Sequence, residues 1–406
     1  MLRLKLKQCR IEDFPMFKQN ITYLDNGATT FKPKCVIDKI ADYYSNYCAN
    51  AHRGDYDISY KVDMEYENTR DLVKEFINAK SKEEIVFTSG CTESLNIIVS
   101  GFFERLIDAN DEIILTKSEH ASNVLPWFRI AKQSHAKIKY IPLTKDHHVT
   151  LENLKSIITP QTKIIALAQI TNVIGDKRPI KEICKFAHEN NIFVVVDGAQ
   201  SVPHMKVDVQ DLDCDFLTFS AHKMCGPTGV GVLYGKKELL EAVEPMNLGG
   251  GMNESFDNEY EVLLKSLPTR LEAGTPNIAG VIGFGEAIKY LQKIGMYNIY
   301  QYEKDLRSYL VDKLEKINHV DIININSDSG IVAFNVDDVF SQDVAYYLNK
   351  YNVCVRAGNH CAKILKNETG VKNTCRVSLY FYNTYEDVDK LVSLLSNKEK
   401  IITEML

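Results

Sequence analysis

The sequence predicts an α/β fold, with a large domain built on a mostly parallel sheet covered by helices and a smaller α+β domain after it. Short apolar runs alternate with helical stretches between residues 84 and 219, the pattern of strand-helix-strand units. One run, Val194-Val195-Val196-Asp197, is β-branched until it stops at a carboxylate, which suits a central strand buried on both faces. Past about residue 290 the texture changes to long polar helices and brief strands. With 406 residues and 45% hydrophobic content, the chain has room for roughly two or three domains.

In chain order, strands are expected at Glu84 to Phe87, Glu112 to Leu115, Ile138 to Ile141, Lys163 to Ala168, Phe193 to Val196 and Phe216 to Phe219. In a parallel α/β sheet ligands gather at the C-terminal ends of the strands. The residues that follow each run are therefore the first to inspect for chemistry. The smaller domain is read from a polar helix around Tyr302 to Ile317, a strand at Ile331 to Val336, a helix near Ser341 to Tyr351, and two short strands flanking Gly358 to Lys372. No Pro/Gly/Ser linker separates the halves, so tight packing between them is expected.

Composition excludes several classes. Forty-eight basic against 54 acidic residues give a formal charge of -6, and no basic stripe interleaved with aromatics is present, so nucleic acid is not expected as a partner. Residues 1–7 alternate apolar and basic side chains without the apolar core of a secretory signal. No stretch of about 18 apolar residues suggests a membrane span. A cytoplasmic protein is expected. The ten cysteines include no Cys-x-x-Cys pair, which argues against zinc-ribbon, thioredoxin-like and disulfide-scaffold readings; no metal site is expected.

Chemistry concentrates after the strands. Lys223 closes Ser220-Ala221-His222-Lys223 and is followed by the glycine-rich Gly226 to Gly231. A lysine that forms a Schiff base needs a pocket that desolvates its ammonium, and Ser220 and His222 offer donors to a phosphate. By itself a lysine in this place is a solvated surface group, and the glycines lack dinucleotide spacing. Asp197-Gly198-Ala199-Gln200 closes the valine strand. There a carboxylate can keep a pyridine nitrogen protonated and Gln200 can reach a ring hydroxyl, or Asp197 can simply cap a helix.

Thr88-Ser89-Gly90-Cys91-Thr92-Glu93-Ser94 runs from a strand into a helix, a natural phosphate cradle with Thr92 as its side-chain donor; a plain helix cap has the same look. His120, in Ser118-Glu119-His120-Ala121-Ser122-Asn123, and Asn172, in Ile170-Thr171-Asn172-Val173-Ile174-Gly175, also follow strands. An imidazole there can stack on a flat cofactor and carry protons, although a lone histidine is as readily structural.

Taken together, the order and spacing of these groups resemble fold-type I, class V aminotransferase-like proteins, and within them the group II (SUF-type) cysteine desulfurases. The match runs from Tyr23-Leu24-Asp25-Asn26-Gly27-Ala28 nearly to the C-terminus. The resemblance implies a seven-stranded, mostly parallel sheet in a pyridoxal 5'-phosphate-binding domain at residues 22–290. It also implies a small C-terminal domain at 291–406 that carries a catalytic cysteine loop, and an N-terminal segment, 1–21, packed with the small domain.

The same resemblance puts the cofactor on Lys223, its ring nitrogen against Asp197, its ring hydroxyl at Gln200, His120 over the ring, its phosphate on Thr92, Ser220 and His222, and Asn172 among its further contacts. Thr275, in Arg270-Leu271-Glu272-Ala273-Gly274-Thr275-Pro276-Asn277, resembles a threonine that reaches the phosphate of a neighbouring subunit, so a homodimer is implied, and Gly249 to Arg270 looks like a hairpin latch between subunits. Arg356-Ala357-Gly358-Asn359-His360-Cys361-Ala362 resembles the short active-site loop, with Cys361 as the nucleophile that takes sulfur from L-cysteine. Arg376, with Asn172 and Arg356, would hold the substrate.

A thiolate nucleophile needs nearby cations, since a free thiol with pKa ~8.5 is only slightly ionised at neutral pH. Two departures from the family pattern, Asn359 and Lys363-Ile364, bear on how the loop meets a sulfur acceptor of the SUF iron-sulfur assembly system. A different class V reaction, by a selenocysteine lyase acting on L-selenocysteine or by an aminotransferase, is the alternative; a transaminase has no need of Cys361. A non-catalytic, cofactor-bound scaffold is a third reading, opposed by the intact Lys223 and Asp197.

Overall fold

The computed structural model describes residues 11–51, 54–370 and 372–405; residues 1–10 of the expected N-terminal segment lie outside them. The large sheet has seven strands: β1 (Ile85–Thr88), β2 (Glu112–Leu115), β3 (Lys137–Tyr140), β4 (Thr162–Ala168), β5 (Phe193–Asp197), β6 (Phe216–Ser220) and β7 (Gly231–Gly235). Their order across the sheet is β1-β7-β6-β5-β4-β2-β3. All neighbours are parallel except those of β7, which runs antiparallel to both β1 and β6.

Strand β5 shows why the valine run pairs so deeply. Val194 and Val196 belong to one buried apolar cluster and Val195 to the other, because successive side chains leave a strand on opposite faces. Both faces are covered, so every position favours an apolar, β-branched residue until the strand ends at Asp197.

Strand β7 was not expected, because its two glycines and the preceding Gly226 to Gly231 run read as loop. Gly231 has a steric reason to be glycine: a Cβ there would lie 2.3 Å from the backbone of Gly90. That contact sets the turn after β1 directly against the start of β7.

A separate hairpin of β8 (Asn253–Phe256) and β9 (Val262–Leu264) exposes Phe256 and Leu263, and Leu248, shortly before it, is exposed as well. The C-terminal sheet contains β10 (Val320–Ile322), β11 (Ile331–Val336), β12 (Arg356–Gly358) and β13 (Thr374–Ser378), in antiparallel order β10-β11-β13-β12.

The main helices are α1 (Lys34–Asn46), α2 (Asp57–Ile77), α3 (Cys91–Gly101), α4 (Leu125–Ser134), α5 (Ile180–Glu189), α6 (Ile278–Ile294), α7 (Met296–Leu314), α8 (Ser341–Lys350) and α9 (Tyr385–Leu395). Helix α7 begins well before Tyr302, where the sequence pattern places it. Gly295, at φ 90°, breaks the chain between α6 and α7, and the helix resumes at once.

The chain start and the C-terminal sheet are joined. Thr22–Tyr23 pairs in parallel with Val353–Cys354, and Asp25 bridges to Ser378. Phe14 packs its ring on Tyr382 and Phe381.

Candidate active site

A cavity of about 190 Å³ opens at the C-terminal ends of the parallel strands. The ends converge there because parallel strands all finish at the same edge, so residues far apart in sequence share one site. Lys223, Asp197, Gln200, His120, Asn172, Ser220, His222, Thr92, Arg356 and Arg376 all line it. Thr275 does not: it is exposed and accepts a 3.4 Å hydrogen bond from Asn50 Nδ2.

Lys223 sits in a short helical turn after β6. Burial lowers its affinity for a proton, an effect that the neighbouring Asp197 charge partly offsets. An amine so placed is closer to the neutral, nucleophilic form than a surface lysine. The turn itself is anchored at the carbonyl of His222. Thr30 N donates to it at 3.0 Å, Thr29 Oγ1 at 3.0 Å, Thr30 Oγ1 at 3.1 Å and Lys32 Nζ at 3.1 Å. Lys32, itself mostly buried, has its pKa lowered to about 8 by desolvation.

Asp197 is buried, and burial raises its pKa while the Ala199 amide, donating to Oδ1 at 2.9 Å, opposes that shift. Among the described residues no donor reaches Oδ2, the oxygen left for a ligand in the cavity. Gln200 Nε2 donates to Gly27 O at 2.9 Å, while its Oε1 is buried and unpartnered. Asn172 Oδ1 and Arg376 Nε are also buried without partners. Unpaired polar atoms in a buried site each carry a desolvation cost that a ligand can remove.

The phosphate cradle is assembled from β1, α3 and β6. Ser220 Oγ accepts from the Cys91 amide at 2.9 Å, which leaves its hydroxyl hydrogen free to donate to an anion. Thr92 Oγ1 lies 2.7 Å from Ser122 Oγ, so the α3 end is tied to the loop carrying His120. His222 is held neutral, its pKa lowered to about 4 by burial and the charges of Lys223 and Lys32.

His120 follows β2. The Ser122 amide donates to its Nδ1 at 3.1 Å, so the neutral ring keeps its proton on Nε2. Burial, then the charges of Lys223, Arg356 and Arg376, lower its pKa to about 4. Behind it lies a buried network. Arg178 pairs with Glu119 and donates to Thr116 Oγ1 at 2.7 Å and Ser118 Oγ at 2.8 Å; Glu119 in turn accepts from Ala168 N at 2.8 Å. A fully bonded network of this kind fixes the loop above it.

Cys361 lies beside the cavity rather than in its lining. His360 and Cys361 both adopt left-handed backbone, at φ 49° and 59°, which is uncommon for non-glycine residues. The loop is held in that shape from several sides. The Ala121 amide donates to Cys361 O at 2.8 Å, and Asn172 Nδ2 to His360 O at 2.7 Å. The His360 ring reaches Thr374 O at 3.0 Å and Thr374 Oγ1 at 2.9 Å. Lys117 and Glu368 form an ion pair at 2.6 Å, bridging the β2 end to the segment after the cysteine. Arg356 Nη2 stands 3.9 Å from Cys361 Sγ, a cation beside the thiol.

Arg376, 1% exposed, gives Nη1 to Asn172 O at 2.9 Å and Nη2 to Asp25 Oδ1 at 2.8 Å. No spacing rule links Asp25 to Arg376, 351 residues away. Glu119 and Cys91 lie inside the motifs around His120 and Thr92. Arg178 and Lys32 carry no sequence signal of their own.

Comparison with known proteins gives a consistent set of matches. The model of the aminotransferase class-V family matches residues 22–391. A probable cysteine desulfurase of Staphylococcus epidermidis is 44% identical over 400 residues, covering 97% of each chain. Among solved structures, the cysteine desulfurase CsdA of Escherichia coli superposes with a TM-score of 0.91 at 36% identity, covering 97% of this chain and 98% of that one. The cysteine desulfurase of Thermococcus onnurineus gives 0.93 at 34% identity, covering 99% and 100%.

Proposed function

This chain belongs to the aminotransferase class-V family as a pyridoxal-phosphate-dependent cysteine desulfurase, and on that premise we propose that it converts L-cysteine to L-alanine while Cys361 takes up the sulfur as a persulfide. The observation that carries this reading is the docking of the Cys361 loop on the cofactor cavity through Ala121 and Asn172, with Arg356 beside the thiol.

The residues fit pyridoxal 5'-phosphate. Lys223 would be the buried amine for its aldehyde, Asp197 Oδ2 the carboxylate oxygen for its ring nitrogen, and Gln200 Oε1 an unpaired acceptor for the hydrogen of its ring hydroxyl, with Asn172 lining the same cavity. Thr92, Ser220 and His222 would take its phosphate at the start of α3, where helix amides favour an anion. When bound, the cofactor serves as the electron sink for a carbanion at the substrate's α-carbon.

The chain's own residues do the rest. Arg376, fixed by Asp25, presents its unpaired Nε and remaining hydrogens to the substrate carboxylate, with Asn172 and Arg356 alongside. His120, neutral at working pH, carries protons between substrate and solvent. Cys361 Sγ, with Arg356 Nη2 3.9 Å away, attacks the substrate sulfur as a thiolate. The new S–S bond forms as the substrate's Cβ–S bond breaks, its electron pair stays with carbon, and protonation makes the methyl group of alanine.

Incubation with L-cysteine followed by mass spectrometry should show added sulfur on the Cys361 peptide and alanine in solution. Cys361→Ala should keep the visible cofactor band but lose sulfide release by at least about 10³-fold, whereas Lys223→Ala should lose the band. Normal desulfuration by Cys361→Ala would remove the nucleophile assignment.

The group II loop supports supply of sulfur to an acceptor protein of the SUF iron-sulfur assembly system. Exposed Thr275 and the exposed apolar side chains of Leu248 and of the hairpin residues Phe256 and Leu263 support a homodimer in which Thr275 reaches the partner's phosphate. The domain limits we propose are 22–290 and 291–406, with residue 290 inside the helix Ile278–Ile294. In sedimentation experiments the native chain should run as a dimer, and Phe256→Glu combined with Leu263→Glu as a monomer; a monomeric native chain would end the shared-site reading.

A further inference from the structure

Beside Asp197, in the lining of the same cavity, is a thiol that the mechanism above does not use. Cys91 opens α3 and is 6% exposed, with its Sγ donating to Asp197 Oδ1 at 3.4 Å and 3.1 Å from Thr218 Oγ1. A thiol has one hydrogen. Since that hydrogen goes to Asp197, the Thr218 hydroxyl must donate to sulfur, and the three side chains form a directed chain, Thr218 to Cys91 to Asp197.

Burial pushes the Cys91 thiol far above its ordinary pKa, and the Asp197 charge pushes it the same way. It therefore stays protonated and remains a donor. Asp197 Oδ1 thus carries two hydrogen bonds, one from the Ala199 amide and one from Cys91, while among the described residues no donor reaches Oδ2.

We infer that Cys91 is a positioning residue for this reaction: with Thr218 behind it, its weak S–H bond to Oδ1 orients the Asp197 carboxylate toward the cofactor's ring nitrogen and sets how strongly Oδ2 attracts the ring proton. The inference rests on Asp197 being the partner of that nitrogen. Its physical basis is general, since a hydrogen bond to the charged form of a carboxylate lowers its basicity, and S–H is a weaker donor than O–H. A side chain without a donor at position 91 leaves Oδ2 more basic than in the native chain, and a hydroxyl leaves it equally or less basic.

The test uses holoenzyme loaded with pyridoxal phosphate labelled with ¹⁵N in the ring, whose chemical shift reads the position of the ring proton directly. Cys91→Ala should displace the ¹⁵N signal from the native position, and Cys91→Ser should stay at that position or move to its other side. A role in packing alone would not separate the two variants by sign. Should Cys91→Ala fail to hold the cofactor, Thr218→Val, which removes the support of the thiol, should move the signal in the direction predicted for loss of the donor, to the side opposite any displacement in Cys91→Ser.

A native-like signal in Cys91→Ala, or displacement of Cys91→Ser to the same side as Cys91→Ala, would overturn the inference. Asp197→Asn separates the two levels: if it leaves the signal at the native position, the ring-nitrogen assignment itself falls. If it moves the signal while Cys91→Ala does not, only the role of the thiol falls.

Discussion

Cys361 shows how a nucleophile is made from position rather than from residue type. Nine cysteines lie among the described residues, and several of them, including Cys184, Cys214 and Cys375, are buried thiols whose pKa burial raises. Cys361 instead lies half-buried beside Arg356, on a loop whose backbone takes two consecutive left-handed residues. That conformation costs roughly 1–2 kcal/mol per residue, and the contacts of His360 with Thr374 and of Asn172 with His360 O hold it. His360→Phe keeps the ring but removes the nitrogen that meets Thr374. It should lower unfolding free energy by about 1–3 kcal/mol, measured by urea titration, and slow persulfide formation on Cys361 while leaving the cofactor band in place.

Two turns, after β1 and after β6, form the site's framework at the level of elements. The first depends on Gly231, where any Cβ would overlap the Gly90 backbone. Gly231→Ala should therefore separate β7 from the phosphate cradle, with a loss of about 3 kcal/mol or more in urea unfolding and weaker cofactor binding in equilibrium dialysis. The second depends on Lys32, whose ammonium sits among the His222 carbonyl, Thr29 Oγ1 and the Thr30 carbonyl. Lys32→Met should loosen the turn that carries Lys223 and speed cofactor loss on dilution, read as decay of the visible band. Strand positions were legible because short, continuous apolar runs mark strands buried on both faces. Strand β7 was not, because its glycines serve a close backbone approach that has no hydrophobic signature.

For the whole molecule, acid should act through three histidines. His120 and His222 have pKa values lowered to about 4 and His360 to about 3, in each case first by burial. An unfolded histidine titrates near 6.5, so below that pH the unfolded chain binds protons that the folded chain refuses. Stability is therefore fully present above about pH 6.5 and falls as pH drops toward 4. Urea midpoints of protein stripped of cofactor should decline across that window, and a flat profile would contradict neutral burial of these rings. No helix among the described residues is long and apolar enough to cross a membrane.

The strand-end residues could be read from the amino-acid order, because short apolar runs mark strands and a parallel sheet brings their ends to one edge whatever the loops do; the cofactor class came from the family resemblance those residues carry together. Asp197, Lys223, His120 and Thr92 were placed at that edge in this way. Which groups support them was set by tertiary contacts. Asp25 reaches Arg376 across 351 positions, Lys32 reaches the His222 carbonyl across 190, and Cys91 reaches Asp197 across 106. Such contacts depend on three-dimensional closure and side-chain packing, which leave no periodic trace along the chain.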